Sequence, residues 1–551
     1  MGQHGSGPRL WHTATHGMSA RATRMNLKVL LVAVLGAVLL LLSVDDLYFR
    51  RHQRTPLQYY HNSSLSYTQH PIDSLIQQSR QSFEARIHAQ SRTLEDAILA
   101  YKERYKIEPP PGFDKWFDFA QTKRSRIIDD FDTIYDAVIP FLGISGQRIN
   151  EMLEEVIATK SGVHKCGYRN GAHYGYCGHL DLSWYMAPIE YLLPDVDLIF
   201  NDLDEPRVLP DENLEARVQN KVTFLDWSHK DLRRLYWKGC KSTDWTAYRQ
   251  PPDLPFIVDA KQARDLCENP QYADEHGFVL SPSTVWTTGQ MVPILSHSKA
   301  SVFGDLIYPN PAYAEDYFDP RVYNKEKDPD WKIKRNDLYW SGINYGGYFE
   351  DEAWKQSHRQ RLVAKTSGLI DSAATFLTES SPGVWNMSTS LDPLSGLFHT
   401  YFTEIDMSAC NRRQCKAQKK FFGEGTRVSN HEQFKHRFVM DLDAWTYSRQ
   451  FYALLQSKSL PFKQTIFQEW HDDRLVPWVH YIPVSVSLRE LPEMVRYFAL
   501  TKQGQAYAQE IAESSSKWWA QSLRKEDMQI YMYRLILEYK RLRDPSRPAM
   551  P

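Results

Sequence analysis

A run of sixteen apolar or small residues, 29–44, stands near the start of the chain and contains neither charge nor proline. Its length is close to the roughly 17–25 residues that cross a bilayer as a helix, and Leu27 with a snorkelling Lys28 extends it. Arginines precede the run, and Asp45 and Asp46 follow it, so the positive-inside rule predicts a cytosolic N-terminus. A cleaved signal peptide is the alternative, although the charged leader is long and no clear small-x-small cleavage site follows. We predict a cytosolic tail over 1–26, a signal anchor over 27–44 and a polar stem over 45–107.

The rest of the chain alternates between helical and extended patterns. Apolar residues at near-helical spacing predict a helix over 82–105, which the prolines at 109–111 end. Two apolar runs are strand-like, and further helices are predicted, so that the expected elements are strands at 196–200 and 479–484 and helices around 359–366, 449–456, 491–500 and 517–542. This alternation is typical of α/β layers, and about 500 residues exceed what one core holds, so two domains are expected.

The composition indicates which kinds of partner and which cellular compartment to expect. A net charge of −1 gives no general attraction to nucleic acid. The thirty-one tyrosines and sixteen tryptophans suit stacking on sugar rings and equally suit a large core. The six cysteines follow the apolar run without C-x2-C spacing, and the simplest expectation is disulfides between sequence neighbours: Cys166–Cys177, Cys240–Cys267 and Cys410–Cys415. Asn62 and Asn386 stand in N-glycosylation triplets.

The most polar strand end follows residues 196–200, where Asn201, Asp202, Asp204 and Glu205 stand close together. Ligands of open α/β sheets bind beyond the carboxyl ends of strands, so a carboxylate here could act as a general base towards a hydroxyl group. A polar loop in which Asp202 caps the next element is the alternative.

The motif Asp-x-Asp occurs twice, at Asp202 and Asp204 and again at Asp441 and Asp443. One large class of sugar transferases uses this pattern to hold manganese against a nucleotide diphosphate. A three-residue pattern arises often by chance in a chain with this many acidic residues, so it is a weak indication.

Two further segments have features of anion sites. In 338–347 a strand-like entry runs into glycines, whose backbone N–H groups could approach a phosphate, although an ordinary glycine turn has the same pattern. In 443–451, Ser448 and Arg449 at a predicted helix start could hold a diphosphate or could simply cap that helix and face solvent. Glu469 adds a carboxylate beside a tryptophan.

Four separated segments and a closing one resemble glycosyltransferase family 90, the fungal capsule-associated family related to protein O-glucosyltransferases. They are residues 110–116, 296–309, 338–362, 462–484 and 528–539, and the resemblance extends over about 108–545. It implies a GT-B-like α/β fold in which two Rossmann-like domains face a cleft. The acceptor-side domain would be 108–315, the donor-binding domain 316–505, and a closing helical segment 506–551. The resemblance also implies a UDP-sugar donor, inversion at the anomeric carbon and no metal cofactor.

The resemblance assigns roles to individual residues. The family's catalytic aspartate lies in an Asn-x-x-Asp-x-Pro pattern, which here runs from Asn201 to Pro206 and makes Asp204 the base. The implied donor-binding residues are Ser298, Lys299, Ser341, Gly342, Trp445, Thr446, Tyr447, Ser448, Arg449, Gln450, Lys463 and Glu469.

Two positions depart from the family's pattern. Ser341 and Gln450 stand where arginine is common, and Arg449 lies one position early. Arginines that face a diphosphate offset the charge of the leaving group, so their loss should weaken catalysis unless Arg449 substitutes for them.

The sequence therefore predicts an inverting glycosyltransferase that moves xylose or glucose from a UDP-sugar to a hydroxyl of a glycan or glycoprotein. It would be a single-pass type II protein of the Golgi or ER membrane, with its catalytic body in the lumen. Two alternatives stay open: a manganese-dependent Asp-x-Asp transferase and a catalytically inactive, glycan-binding relative.

Overall fold

The computed structural model describes residues 60–178, 182–238, 240, 254–283, 286–313, 323–371, 373–390 and 396–550. The predicted tail and signal anchor, 1–26 and 27–44, lie outside these ranges. No helix within them is both long and apolar enough to span a bilayer. Contacts group Gln58–Pro551 into one unit.

The strands are numbered in chain order through these ranges. They are β1 (Tyr60–Tyr67), β2 (Val163–Arg169), β3 (Ala172–Gly175), β4 (Val196–Asn201), β5 (Leu225–Asp226), β6 (Trp286–Thr287), β7 (Leu295–Ser296), β8 (Ser298–Lys299), β9 (Leu306–Ile307), β10 (Arg335–Ile343), β11 (Ala374–Ser381), β12 (Val384–Ser390), β13 (Phe398–Glu404), β14 (His436–Leu442), β15 (Leu460–Gln464), β16 (Gln468–Glu469) and β17 (Ile482–Pro483).

The helices surround the sheets. The α-helices are Pro71–His88, Leu94–Tyr105, Phe113–Thr122, Asp132–Leu142, Gly146–Ala158, Ser183–Met186, Leu214–Gln219, His229–Leu235, Ala260–Arg264, Gly277–Leu280, His358–Thr366, Arg412–Phe422, Phe451–Gln456, Leu491–Leu500, Lys502–Ser522 and Lys525–Leu542. Short 3₁₀ turns are Ala187–Leu192, Pro270–Asp274, Pro311–Tyr313, Lys325–Lys327, Trp331–Ile333, Glu352–Gln356, Met407–Ala409 and Glu432–Lys435.

The first large sheet has the strand order β3-β2-β4-β7-β9. Strands β4, β7 and β9 run parallel, while β2 is antiparallel to both β3 and β4. Strand β4 is buried along most of its length, as its nearly continuous apolar sequence requires. The strand predicted over 196–200 is therefore confirmed, and its carboxyl end delivers Asn201, Asp202 and Asp204 to one edge of the sheet.

The second large sheet is parallel throughout and has the order β13-β10-β14-β15-β17. Numbered along the chain from β10, this order is 2-1-3-4-5, which is a doubly wound arrangement with its switch point between β10 and β14. Helices connect successive parallel strands, including His358–Thr366 and Arg412–Phe422. The predicted α/β class is confirmed.

The C-terminal helix returns to the first sheet. The single helix predicted over 517–542 is two helices, because Arg524 begins a new one and its backbone N–H donates to Asp527 Oδ2 at 3.0 Å. In this last helix, Tyr531 Oη donates to the Ile307 carbonyl at 3.2 Å, and the Ile530 carbonyl accepts from the Trp116 indole N–H at 3.0 Å. The end of the chain thus completes the core of the first half.

The region predicted as a stem, 45–107, is built into the fold from Tyr60 onwards. Strand β1 pairs with β12, and the buried His70 Nε2 lies 2.8 Å from Glu493 Oε1. The helix predicted over 82–105 is two helices, Pro71–His88 and Leu94–Tyr105. They separate because the Thr93 hydroxyl accepts the Asp96 backbone N–H and starts the second one.

Two other predicted elements are shorter than expected. The helix predicted over 449–456 begins at Phe451, which leaves Arg449 and Gln450 in the preceding loop. The extended run 479–484 contributes only β17, because Trp478 has a φ of +66° and its N–H bonds to the Tyr481 carbonyl in a tight turn.

The three local disulfide pairings are confirmed. Cys166–Cys177, Cys240–Cys267 and Cys410–Cys415 are bonded, and the described residues contain no free cysteine. The predicted glycosylation residues Asn62 and Asn386 lie on β1 and β12, and their modification stays a prediction.

Candidate active site

A cavity of about 450 Å³ opens at the switch point of the second sheet. Its floor is the carboxyl end of β10, at Ser341 and Gly342, and the loop that follows β14. The lining residues are Asp204, Tyr339, Trp340, Ser341, Gly342, Ile343, Tyr345, Arg359, Thr403, Val428, Ser429, Asn430, Gln433, Ala444, Trp445, Thr446, Tyr447, Ser448, Arg449 and Gln450. This is where ligands bind in open α/β sheets.

The glycine turn after β10 brings a helix against the cavity. Gly346 has a φ of +121°, and a Cβ there would lie 2.8 Å from His358 Cε1. His358 Nε2 donates to the Asp443 carbonyl at 2.9 Å, while burial lowers the pKa of His358 and keeps the ring neutral. The turn therefore needs glycine so that the start of the helix His358–Thr366 can lie beside the end of β14.

Arg359 ties the two strand ends together beneath the cavity. Its guanidinium donates to the carbonyls of Ile343, Leu442 and Asp443 at 2.8, 3.0 and 2.6 Å. It also lies 5.6 Å from the centre of the Trp340 ring. This side chain fixes the switch point and adds positive charge to the cavity wall.

Asp204 faces the cavity from the first sheet, opposite the loop after β14. Its Oδ1 lies 3.6 Å from Arg449 Nη2, and both side chains are partly exposed. The structure therefore brings the predicted base to the same cavity as Ser341, Gly342 and Ser448. A carboxylate from one sheet and a guanidinium from the other meet across this space.

Four of the predicted donor-binding residues do not line the cavity. Lys463 is buried between Asp441 and Glu469, with Nζ at 3.0 and 3.4 Å from their carboxylates. Ser298 and Lys299 form β8, which pairs with Gln468 and Glu469 in β16. Because β8 follows β7 of the first sheet and β16 follows β15 of the second, this pairing joins the two sheets.

The pKa values of Glu469, Lys299 and Lys463 are shifted by burial and by the charges beside them. Burial raises the pKa of Glu469 to about 7, although the Lys463 ammonium opposes the shift. Burial lowers the pKa of Lys299 to about 8. For Lys463 burial acts in the same lowering direction, but Asp441 and Glu469 outweigh it and raise its pKa. Lys463 therefore stays cationic, and Glu469 is a carboxyl that takes up a proton near neutral pH.

The aspartates of the two Asp-x-Asp motifs differ in burial and in their hydrogen-bond and ion-pair partners. Asp202 Oδ2 lies 3.1 Å from His164 Nε2, whereas Asp204 pairs with Arg449. Asp443 is buried, where its Oδ2 accepts the Ile466 N–H at 2.9 Å. Among the described residues, the one group of three or more close metal-ligating side chains is Cys166, His173 and Cys177, whose sulfurs already form a disulfide.

Sequence reasoning did not single out several cavity residues. Tyr345 stacks on Trp445 with ring centres 5.0 Å apart and forms an apolar wall. The sequence signal that could have identified Tyr345 is its position inside the glycine-containing segment 338–347. Residues 428–430 and Gln433 reach the cavity from a loop that carries no motif, so only the tertiary fold identifies them.

Comparison with known proteins gives a family match in the second half of the chain. Residues 283–549 match the sequence model of glycosyl transferase family 90. Rat protein O-glucosyltransferase 1 is 24% identical over 298 residues, which cover 53% of this chain and 64% of the relative. The human protein of that name is 25% identical over 255 residues, covering 45% and 57%.

A third relative, O-glucosyltransferase rumi of Drosophila melanogaster, is 30% identical over 120 residues, covering 21% of this chain and 28% of the relative. The chain thus spans less than two thirds of the length of these curated relatives. The resemblance recognised from the sequence is confirmed over residues 283–549, which match glycosyl transferase family 90.

Proposed function

We propose that the protein is an inverting glycosyltransferase that uses a UDP-sugar and works in a GT-B-like cleft between its two large sheets. The observation that carries this proposal is that Asp204 lines the same cavity as Ser448 and Arg449, at the switch point of a parallel sheet, and contacts Arg449 at 3.6 Å. Such an arrangement places a base and an anion-binding loop on the walls of one cavity, where a bound UDP-sugar would contact both.

In the proposed reaction, Asp204 accepts the proton of an acceptor hydroxyl. The hydroxyl oxygen forms a bond to the anomeric carbon from the face opposite UDP, which inverts the configuration. The bond from that carbon to the β-phosphate oxygen breaks, and the electron pair leaves with UDP. Ser448 and Arg449 donate hydrogen bonds to the departing diphosphate and offset its charge. No step in this scheme requires a metal ion.

Glucose and xylose are the proposed donor sugars. The names of the relatives, protein O-glucosyltransferase 1 and O-glucosyltransferase rumi, favour glucose. The acceptor would be a hydroxyl of a glycan or glycoprotein. A panel of UDP-glucose, UDP-xylose and UDP-galactose, assayed for UDP release by the purified chain, decides the sugar.

We place the catalytic body in the lumen of the Golgi or ER, held by the predicted anchor over 27–44. Support comes from the three disulfides, which persist in oxidising compartments. Protease protection of the body in sealed microsomes is the expected result, and digestion without detergent would contradict this orientation.

The variant Asp204→Asn tests the role of the base. It should keep UDP affinity and lose about 10²- to 10⁴-fold in transfer, the usual contribution of general base catalysis. Asp195→Asn, at the amino end of the same strand, is the matched control and should transfer at the wild-type rate. Full activity in Asp204→Asn refutes the assignment, and absence of UDP binding in the wild type favours a catalytically inactive relative.

A further inference from the structure

We propose that Tyr176, His164 and Asp202 form a subsite that binds a pyranose ring of the acceptor. The acceptor would then present a carbohydrate, and not a bare peptide, to this part of the protein. The assignment rests on the proposed function, because it supplies the acceptor side of the same cleft.

The three side chains meet at the carboxyl edge of the first sheet. In the β2–β4 pairing, Val163 is opposite Asn201 and His164 is opposite Phe200, so the start of β2 lies beside the end of β4. His164 Nε2 lies 3.1 Å from Asp202 Oδ2. The Tyr176 and His164 rings form a T-shaped pair, with centres 4.8 Å apart.

The hairpin formed by β2 and β3 holds Tyr176, His164 and Asp202 in place. The disulfide Cys166–Cys177 joins β2 to the residue directly after Tyr176. Next along the chain, Gly178 approaches Asp202 so closely that a Cβ would lie 3.0 Å from its Oδ1, at a φ of +108°. An aromatic ring, an imidazole and a carboxylate are therefore positioned before any ligand arrives.

This set of groups suits a sugar. Tyr176 is 52% exposed, and an exposed aromatic ring can stack on the C–H face of a pyranose. The His164 and Asp202 side chains are partly exposed, at 32% and 15%, and can exchange hydrogen bonds with ring hydroxyls. A flat apolar ring beside directional polar groups is the composition of a small-ligand site.

The subsite adjoins the proposed base. Asp202 and Asp204 are separated by one residue, so their Cα atoms lie at most about 7 Å apart, close to the size of one pyranose ring. Asp204 in turn lies 3.6 Å from Arg449 on the cavity wall. A ring held at Tyr176 and Asp202 would thus lie within about one pyranose length of the proposed base.

Saturation-transfer NMR of the full chain with methyl pyranosides of mannose, galactose and xylose tests the subsite without requiring catalysis. At least one pyranoside should bind the wild type, and Tyr176→Ala should weaken that binding about tenfold, the equivalent of ~1.4 kcal/mol. Tyr176→Phe should bind like the wild type, and His164→Gln should weaken binding while Tyr176 is intact.

Tyr191→Ala is the matched control. Tyr191 is 73% exposed and lies against Gly171 in the turn between β2 and β3, at the opposite end of the hairpin. The subsite is overturned if no pyranoside binds, or if Tyr176→Ala and Tyr191→Ala bind it equally. A UDP titration of the same samples separates the outcomes, because pyranoside binding without UDP binding contradicts the proposed function and leaves the subsite standing.

Discussion

Replacing Arg449 by alanine should weaken UDP binding while leaving the free energy of unfolding almost unchanged. The contact between Arg449 and Asp204 is 3.6 Å long, and the side chains are 39% and 44% exposed. Solvent screens such a pair, so its loss costs at most about 1 kcal/mol of stability. Charge-assisted hydrogen bonds to a bound diphosphate contribute more, about 1.5–3 kcal/mol, which corresponds to an increase of about 10- to 150-fold in the Kd for UDP.

Titration calorimetry with UDP and urea unfolding measure the two quantities separately. Arg449→Lys should be intermediate, because it keeps the charge and loses the planar fork. Arg169→Ala is the control: Arg169 is 53% exposed and pairs with Asp197 at 2.5 Å, at the far end of β2. A wild-type Kd for UDP in Arg449→Ala, or the same weakening in Arg169→Ala, would refute this reasoning.

Three further predictions concern the buried group and the metal. Lys463→Met should lower the free energy of unfolding by about 3–5 kcal/mol in urea titrations, because Asp441 and Glu469 would lose the cation between them. Burial raises the pKa of Glu469 from 4.5 to about 7, so the folded carboxyl keeps a proton that the unfolded chain releases, and this contribution to stability is lost as pH rises through that window. The unfolding free energy of Glu469→Gln should therefore fall less between pH 5 and 7.5 than that of the wild type; an equal fall would show that Glu469 does not titrate there. Sugar transfer should proceed at the same rate after EDTA treatment, whereas its loss, with recovery on adding manganese, would favour an Asp-x-Asp mechanism through Asp202 and Asp204.

Local signals in the sequence were sufficient for several parts of the fold. Strand β4 is a short apolar run that is buried, and its polar end indicated a site before any contact was known. The disulfides join cysteines only 5, 11 and 27 residues apart, so pairing by proximity succeeded. The segments 338–347 and 443–451 had local features of anion sites, and the family resemblance assigned Ser341, Gly342 and 445–450 within them; all of these residues line the cavity.

The features that the sequence did not predict depend on contacts formed in the folded protein. Lys463 and Glu469 belong to the resembling segment around 462–484, yet their side chains point into a buried ion-pair group and not into the cavity. The helix predicted over 517–542 divides at Arg524, because capping by Asp527 outweighs a continuous apolar period. Nothing in the pattern around 428–433 indicated a cavity loop, since its position depends on strands β10 and β14.

Ser341 and Gln450 stand where the family's pattern commonly has arginine. The proposed recognition of the diphosphate therefore depends mainly on one side chain, Arg449. Arg359 also lines the cavity, but its guanidinium holds three backbone carbonyls at the ends of β10 and β14. Turning it towards a ligand would leave buried acceptors unpaired, at a cost of about 1–3 kcal/mol each. Arg449 instead contacts side chains, through a solvent-screened pair with Asp204 and a hydrogen bond to Tyr447, and these are the contacts that it would exchange for a phosphate. That exchange would release the Asp204 carboxylate, and donor binding would then precede activation of the acceptor.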